Sequence, residues 1–280
     1  MANIYDVNGN TIPISGGSGS TAFVQSSDFA RVVKGIAHRG YCKTAPENTL
    51  PAYSLAKKNG FFYAETDVQF TSDNVPVLLH DSSIDATSDG TGNISSMTFE
   101  QVRQYDFGSW KSTEYAGTKI PSFEEFITLC RDIALHPYIE IKAAGTTQAQ
   151  AKMLMDMVND VGMKGKVTWI SFYHAKLAYF VDLDQTARIG VLAHAVTAST
   201  AQGYISTATG LSTGKNEVFI DGNLSGLTTE GLEMCKTAGF PFECWTANTT
   251  SVILNADPYI TGFTSDGLVA EKVLYDANVS

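Results

Sequence analysis

From Phe29 onward, short apolar runs alternate with stretches of helical period, and no other feature of the chain restricts its fold as strongly. Such alternation is the signature of strands joined by helical crossovers into a parallel sheet. Gly35 to His38, Tyr63 to Phe70, Tyr138 to Lys142, Val167 to Phe172, Arg188 to Ala193, Glu217 to Asp221, Phe240 to Thr246 and Ile260 to Thr264 predict the parallel strands. Leu50, Tyr53, Leu55 and Ala56 predict the apolar stripe of a first helix that begins near Asn48 and ends at Gly60. One further run, Val75 to His80, follows its predecessor after only Thr71 to Asn74. A parallel crossover takes a dozen residues or more, so this run has to turn back as an antiparallel hairpin. The expected fold is therefore α/β: a (β/α)8 TIM barrel with a β-hairpin and an insertion after strand 2. Barrels of this kind take ~250 residues as one unit, which fits a chain of 280 residues that is 44% apolar.

Residues 1–20 read as separate from the barrel. IYDV and TIPI flank Asn8-Gly9-Asn10, a short-hairpin signal, and Ser15 to Ser20 (SGGSGS) has the composition of a flexible linker. A lone hairpin is unstable in water, so this one needs a surface: the main domain, another subunit or a larger assembly. Residues 21–280 form the barrel, interrupted by an insertion at about 82–119 that is rich in Ser, Thr and Gly. Within it Thr98 and Gln101 have capping-box spacing and predict one helix. An excursion of this size after a site residue reads as a lid or binding loop.

Nineteen basic against twenty-nine acidic side chains give a net charge of -10 and no basic stripe, which argues against a nucleic-acid partner. No apolar run reaches the ~18 residues of a membrane span. The first residues lack the basic and apolar regions of an export signal, so the default expectation is the cytoplasm, with association to a surface or particle left open. Cys42, Cys130, Cys235 and Cys244 stand far apart and read as reduced, mostly buried thiols.

Charged residues gather where the strands end. Glu65 and Asp67 are two residues apart on one strand and face the same way, as do Glu140 and Lys142 on the next parallel strand. Glu65, Asp67 and Glu140 can thus converge at the barrel mouth, where sites of this fold lie. Like charges at ~4 Å repel by several kcal/mol at moderate dielectric, so the three either hold a hard divalent cation or protonate. With such a cation, Arg39 and Lys142 leave the cluster one net positive charge, suited to a phosphodiester anion; without it the cluster is negative. His38 and His80 remain as proton-transfer groups, because imidazole titrates near neutrality. Taken singly, each residue has an ordinary explanation: a hydrogen-bonded histidine, a solvated strand edge, a surface lysine. Together at one face they point to a site.

The ordered set His38-Arg39-Gly40, Pro46-Glu47-Asn48-Thr49, Glu65-x-Asp67, His80-Asp81 and Glu140-Ile141-Lys142 resembles the glycerophosphodiester phosphodiesterases. The likeness runs over about residues 34–266 and includes Ser171-Phe172, Trp245 to Asn248 and Thr264 to Asp266. It implies metal-dependent hydrolysis of a small-molecule glycerophosphodiester to glycerol 3-phosphate and an alcohol. By the same resemblance His38 and His80 are general base and acid, and Glu65, Asp67 and Glu140 bind a divalent metal ion, calcium or magnesium. Arg39 and Lys142 stabilise the phosphoryl oxygens, Glu47 orients the His38-Arg39 turn on the substrate side, and Phe172 and Trp245 line the glycerol side. The chain departs from the family after His80-Asp81, where Asp85 to Asp89 replace the usual arginine and paired threonines. That departure motivates an alternative substrate, a lysophospholipid or a glycerol-phosphate polymer. The hairpin and linker motivate a second alternative, a barrel serving as the binding module of a larger assembly.

Overall fold

The structure, a computed structural model, describes residues 33–279. The expected N-terminal hairpin, the linker and a barrel start at residue 21 lie outside the described residues. Among the described residues nine strands form one sheet: β1 (Lys34–Ala37), β2 (Tyr63–Phe70), β3 (Pro76–Leu78), β4 (His136–Ile141), β5 (Thr168–Ser171), β6 (Arg188–Ala193), β7 (Val218–Asn223), β8 (Phe242–Trp245) and β9 (Ile260–Ser265). Their order is β1-β9-β8-β7-β6-β5-β4-β2-β3, and an extra β1–β2 pairing closes the ring. Every pairing in the ring is parallel, and β3 alone pairs antiparallel, with β2. Leaving β3 outside, eight strands make a closed TIM barrel, and the connection of Thr71 to Asn74 forces the hairpin as the sequence predicts.

The helices are α1 (Leu50–Lys58), α2 (Phe99–Val102), α3 (Phe123–Asp132), α4 (Gln148–Asp160), α5 (His174–Leu183), α6 (Ala201–Leu211), α7 (Thr229–Thr237), α8 (Thr250–Leu254) and α9 (Ala270–Val279). Thr98 and Gln101 form the expected capping box, and Ser122 with Glu125 and Thr147 with Gln150 form two more. Each box satisfies two backbone donors that the first helical turn leaves free. The stripe of α1 agrees with expectation at Tyr53 and Ala56, which are buried, and differs at Ala52, also buried, and at Leu50 and Leu55, which are only half-buried. Small residues face the sheet because the His38-Arg39-Gly40 turn packs directly on the helix. A Cβ on Gly40 would stand 2.7 Å from the Ala52 carbonyl carbon, and the residue's φ of 80° also favours glycine.

The large core lies between strands and helices, and a second cluster of Ile36, Tyr138, Ile170, Leu192 and Phe219 fills the barrel interior. The interior is polar at both ends for different reasons. At the amino-terminal end Arg188, the first residue of β6, donates to Glu243 at 2.7 Å and to the Tyr138 hydroxyl at 2.8 Å, while Lys34 donates to Glu243 at 3.0 Å. These contacts join the floor of the barrel into one ion-pair network. The insertion, expected as a lid or loop, packs Ile84, Ile94, Val102 and Phe107 with Val77 and Leu79 of the hairpin and with Ile120 into a separate small core. It is tied back to the rim by the Lys111 ammonium, which donates to the Cys42 carbonyl at 2.6 Å. Cys130, Cys235 and Cys244 are buried and Cys42 is half-buried. Among the described residues no helix is long and apolar enough to cross a membrane.

Candidate active site

Glu65, Asp67 and Glu140 converge at the mouth. Register pairing sets Asp67 beside Glu140 across β2 and β4, and strand alternation brings Glu65 to the same face. One ligand oxygen from each lies within 4.8 Å of the others, and all three residues are buried. Glu65 and Asp67 sit in the middle of β2, not at its carboxyl end as the sequence suggests. The strand runs on past the ring to carry β3, whereas β1 already ends at Ala37 opposite Ala64, so the barrel rim falls at Glu65.

This crowding shows in the electrostatics. Burial, then the Asp67 and Glu140 charges, push Glu65 well above the usual carboxyl range. Burial and Asp67 raise Glu140 to about 7, against the pull of Lys142. Burial works against ionising Asp67, yet Arg39, Lys142 and His80 together hold it below its ordinary value. One oxygen of Glu65, Oε1, is buried without a hydrogen-bond partner among the described residues. A buried carboxyl oxygen without a donor, set among like charges, fits a hard divalent cation held by all three side chains.

Two cations flank the cluster. Lys142 Nζ lies 3.1 Å from Glu140 Oε1 and 3.7 Å from Asp67 Oδ1. The Arg39 guanidinium donates to Glu47 Oε1 at 2.8 Å, and its Nε makes an ion-pair contact with Asp67 at 3.4 Å. The Arg39 amide adds a donor to Glu65 Oε2 at 3.0 Å. Burial disfavours the Arg39 charge, but Asp67, Glu47 and Glu65 outweigh it and raise its pKa. Glu47 therefore contacts the guanidinium of Arg39.

Each histidine is backed by a carboxylate. His38 Nδ1 stands 2.7 Å from Asp266 Oδ1, and His80 Nδ1 stands 2.7 Å from Asp81 Oδ1. A carboxylate acceptor places the ring proton on Nδ1 and leaves Nε2 to exchange protons. The His38 hydrogen bond is the main reason that Asp266 is held at about 2. His80 lies beyond β3 on the extended hairpin, and Gln69 Nε2 fixes that loop by donating to the carbonyls of Leu79, His80 and Asp81.

Phe172 lies in the wall of a pocket of about 410 Å³ that also takes in Glu140, Lys142, Tyr173, Leu192 and His194. Trp245 is not in that wall; it packs edge-on against Phe172 at 5.7 Å and against His194 at 6.3 Å.

Sequence reasoning gave no role to four residues of this site, although Asn48 and Asp266 stand within the motifs of the resemblance. Asp266 belongs to the loop after β9, and its nearness to His38 follows once the last strand closes the ring against β1. Asn48 is buried with φ 55°, donates to Asp67 Oδ2 at 2.8 Å and accepts from the Tyr53 hydroxyl at 3.0 Å. Gln69 lies on β2 in step with Glu65 and Asp67, two residues along, which was a usable signal. His194 stacks on Phe172 with ring centroids 4.1 Å apart, and nothing local marks it.

The model of the glycerophosphoryl diester phosphodiesterase family matches residues 38–270. Human glycerophosphodiester phosphodiesterase 1 is 40% identical over 128 residues, 44% of this chain and 39% of the human protein. A glycerophosphodiester phosphodiesterase of Caldanaerobacter subterraneus is 32% identical over 158 residues, 56% of this chain and 65% of that protein. The chain thus spans 39% of the length of its mammalian relatives from human and cattle. Among solved structures, an Oleispira antarctica phosphodiesterase in complex with the product sn-glycerol-3-phosphate superposes with a TM-score of 0.79 at 24% identity, covering 90% of this chain and 98% of that one. Since the match takes in both histidines, the acidic cluster and every strand of the ring from β2 to β9, the chain belongs to the glycerophosphoryl diester phosphodiesterase family.

Proposed function

We propose that the chain hydrolyses glycerophosphodiesters to glycerol 3-phosphate and an alcohol, with His38 and His80 as the proton-transfer pair. The observation that carries this reading is the convergence of Glu65, Asp67 and Glu140 between two cations. These three would hold a divalent ion, calcium or magnesium, which when bound neutralises the carboxylates and polarises a phosphoryl oxygen. Arg39 and Lys142, no longer matched by three uncompensated carboxylates, then present positive charge to the phosphate. Glu47 fixes the Arg39 guanidinium for that contact.

His38 and His80 supply the proton traffic. With Nδ1–H given to Asp266, His38 offers the Nε2 lone pair to the attacking oxygen and stores the proton as an imidazolium that the carboxylate stabilises. His80, its Nδ1–H likewise given to Asp81, carries a second proton on Nε2 as the general acid and passes that proton to the departing alkoxide, ending as the neutral imidazole. Phe172, with Trp245 and His194 packed against it, lines the organic part of the substrate. The same relatives carry the name of this activity, which supports it for this chain.

The test is release of glycerol 3-phosphate from glycerophosphocholine, glycerophosphoethanolamine and glycerophosphoinositol by purified protein supplied with calcium or magnesium. Turnover of at least one, lost in His38→Ala and in His80→Ala while the melting temperature holds, is the expected result. No release from any of them, or wild-type rates in either variant, would overturn the proposal.

A further inference from the structure

His38, Cys42 and Asp266 form a second set of metal donors at the rim, chemically unlike the all-oxygen cluster. A His38 ring nitrogen, Cys42 Sγ and an Asp266 carboxylate oxygen lie within 4.8 Å of one another. Asp266 Oδ1 is 2.7 Å from His38 Nδ1 and 3.3 Å from Cys42 Sγ, so it is the shared neighbour. Zinc bonds nitrogen and oxygen at ~2.0 Å and sulfur at ~2.3 Å, which puts tetrahedral donors roughly 3.3 to 3.6 Å apart. The carboxylate therefore has to retreat from the imidazole by about half an ångström to admit the ion.

The backbone holds the three together without any ion. The His38 amide donates to the Ser265 carbonyl at 2.9 Å, the Lys43 amide to the Asp266 carbonyl at 2.9 Å and the Cys42 amide to the Gly40 carbonyl at 2.9 Å. Solvent reaches the set, with the His38 side chain 23% and the Asp266 side chain 37% exposed, so a fourth position is open to water. Thiolate and imidazole favour zinc, whereas three carboxylates favour calcium or magnesium; the two neighbouring sites select different metals.

We propose that His38, Cys42 and Asp266 bind a thiophilic divalent ion, zinc above all, and that filling this site disables His38. As the metal–sulfur bond forms, the Cys42 thiol proton leaves to solvent. The metal takes the Nδ1 lone pair, and the ring proton moves from Nδ1 to Nε2. The imidazole keeps one proton overall, and one proton is released per ion bound. Nε2 now carries hydrogen and has no lone pair for the attacking oxygen. Thiolate and Asp266 carboxylate balance the two charges of the ion, so the bound site is neutral.

The inhibitory half of this proposal rests on the activity proposed above; the binding half does not. Cobalt(II) is the probe for binding, added to calcium-loaded protein, because a thiolate ligand gives it a near-ultraviolet charge-transfer band. Cys130, Cys235 and Cys244 are buried, so that band reports Cys42. The expected result is a band at one cobalt per chain that zinc displaces, absent in Cys42→Ala and Cys42→Ser. Zinc should also lower turnover of the calcium-loaded wild type by about 100-fold or more, the worth of a general base, and leave both variants at their full zinc-free rate. No band in the wild type, a band that survives in both variants, or equal zinc inhibition of wild type and variants would overturn the proposal. Absence of turnover with the cobalt band present would instead refute the proposed activity and leave the site standing.

Discussion

Withdrawal of divalent ions should make the protein's stability fall as pH rises through the neutral range, and Glu140 sets the size of the effect. In the folded chain burial and Asp67 raise its pKa from 4.5 to about 7. A carboxyl raised in this way binds more protons folded than unfolded between those values, so its penalty grows as pH climbs from about 4.5 and levels off above about 7. At ~1.4 kcal/mol per pH unit that amounts to about 3 kcal/mol. A chain of this size melts ~2 °C lower per kcal/mol lost, so Glu140 alone lowers the melting point by about 6 °C. Glu65 is raised by the same causes and adds to the fall, while Asp67, held below its ordinary value, stays ionised throughout and contributes no slope. Differential scanning fluorimetry in EDTA at about pH 5 and pH 8 reads the effect. Calcium or magnesium should raise the melting point much more at the higher pH, and Glu140→Gln should flatten the EDTA profile. A metal gain equal at both values, or an unchanged slope in Glu140→Gln, would refute carboxylate crowding at this cluster.

Three further outcomes follow from individual contacts. Asp266→Asn replaces the carboxylate 2.7 Å from His38 Nδ1 with a neutral amide whose NH2 can donate to that nitrogen and hold the wrong tautomer, so kcat should drop by about 100-fold or more with the substrate KM little changed, as read by steady-state kinetics. Asn48→Ala deprives Asp67 of its 2.8 Å donor, leaves the Tyr53 hydroxyl with one partner fewer and places alanine at φ 55°; urea unfolding should report a loss of about 2 to 3 kcal/mol. Phe172→Ala opens the pocket wall on which His194 stacks, and kinetics on glycerophosphocholine should show KM raised by a larger factor than kcat is lowered.

The sequence carried those features that depend on neighbours along the chain. The alternation of strands and helices, the short connection that turns β3 back, and the Glu65-x-Asp67 and Glu140-x-Lys142 spacings are all local; the structure has the alternation and the hairpin, and sets Glu65 and Asp67 on one face, though in mid-strand and not at its end. Convergence of the three carboxylates also followed, because consecutive parallel strands lie side by side. What stayed hidden arises from closure and from backbone geometry. Asp266 meets His38 across 228 residues, a contact made only when the ring shuts. Glu243 reaches Arg188 and Lys34 through the barrel interior, where no spacing rule applies. Asn48 works through a left-handed backbone and a buried side chain, and Phe172 meets His194 only because β5 and β6 are adjacent. The α1 stripe misled because apolar size, without the tight Gly40 turn above it, pointed to leucine in place of alanine.

The most direct test of the site is a crystal structure of the calcium-loaded chain. A single ion with oxygen ligands from Glu65, Asp67 and Glu140 at about 2.3 to 2.6 Å is the result predicted. An ion bound elsewhere, or those three carboxylates turned toward Arg39 and Lys142 with no ion between them at saturating calcium, would contradict it.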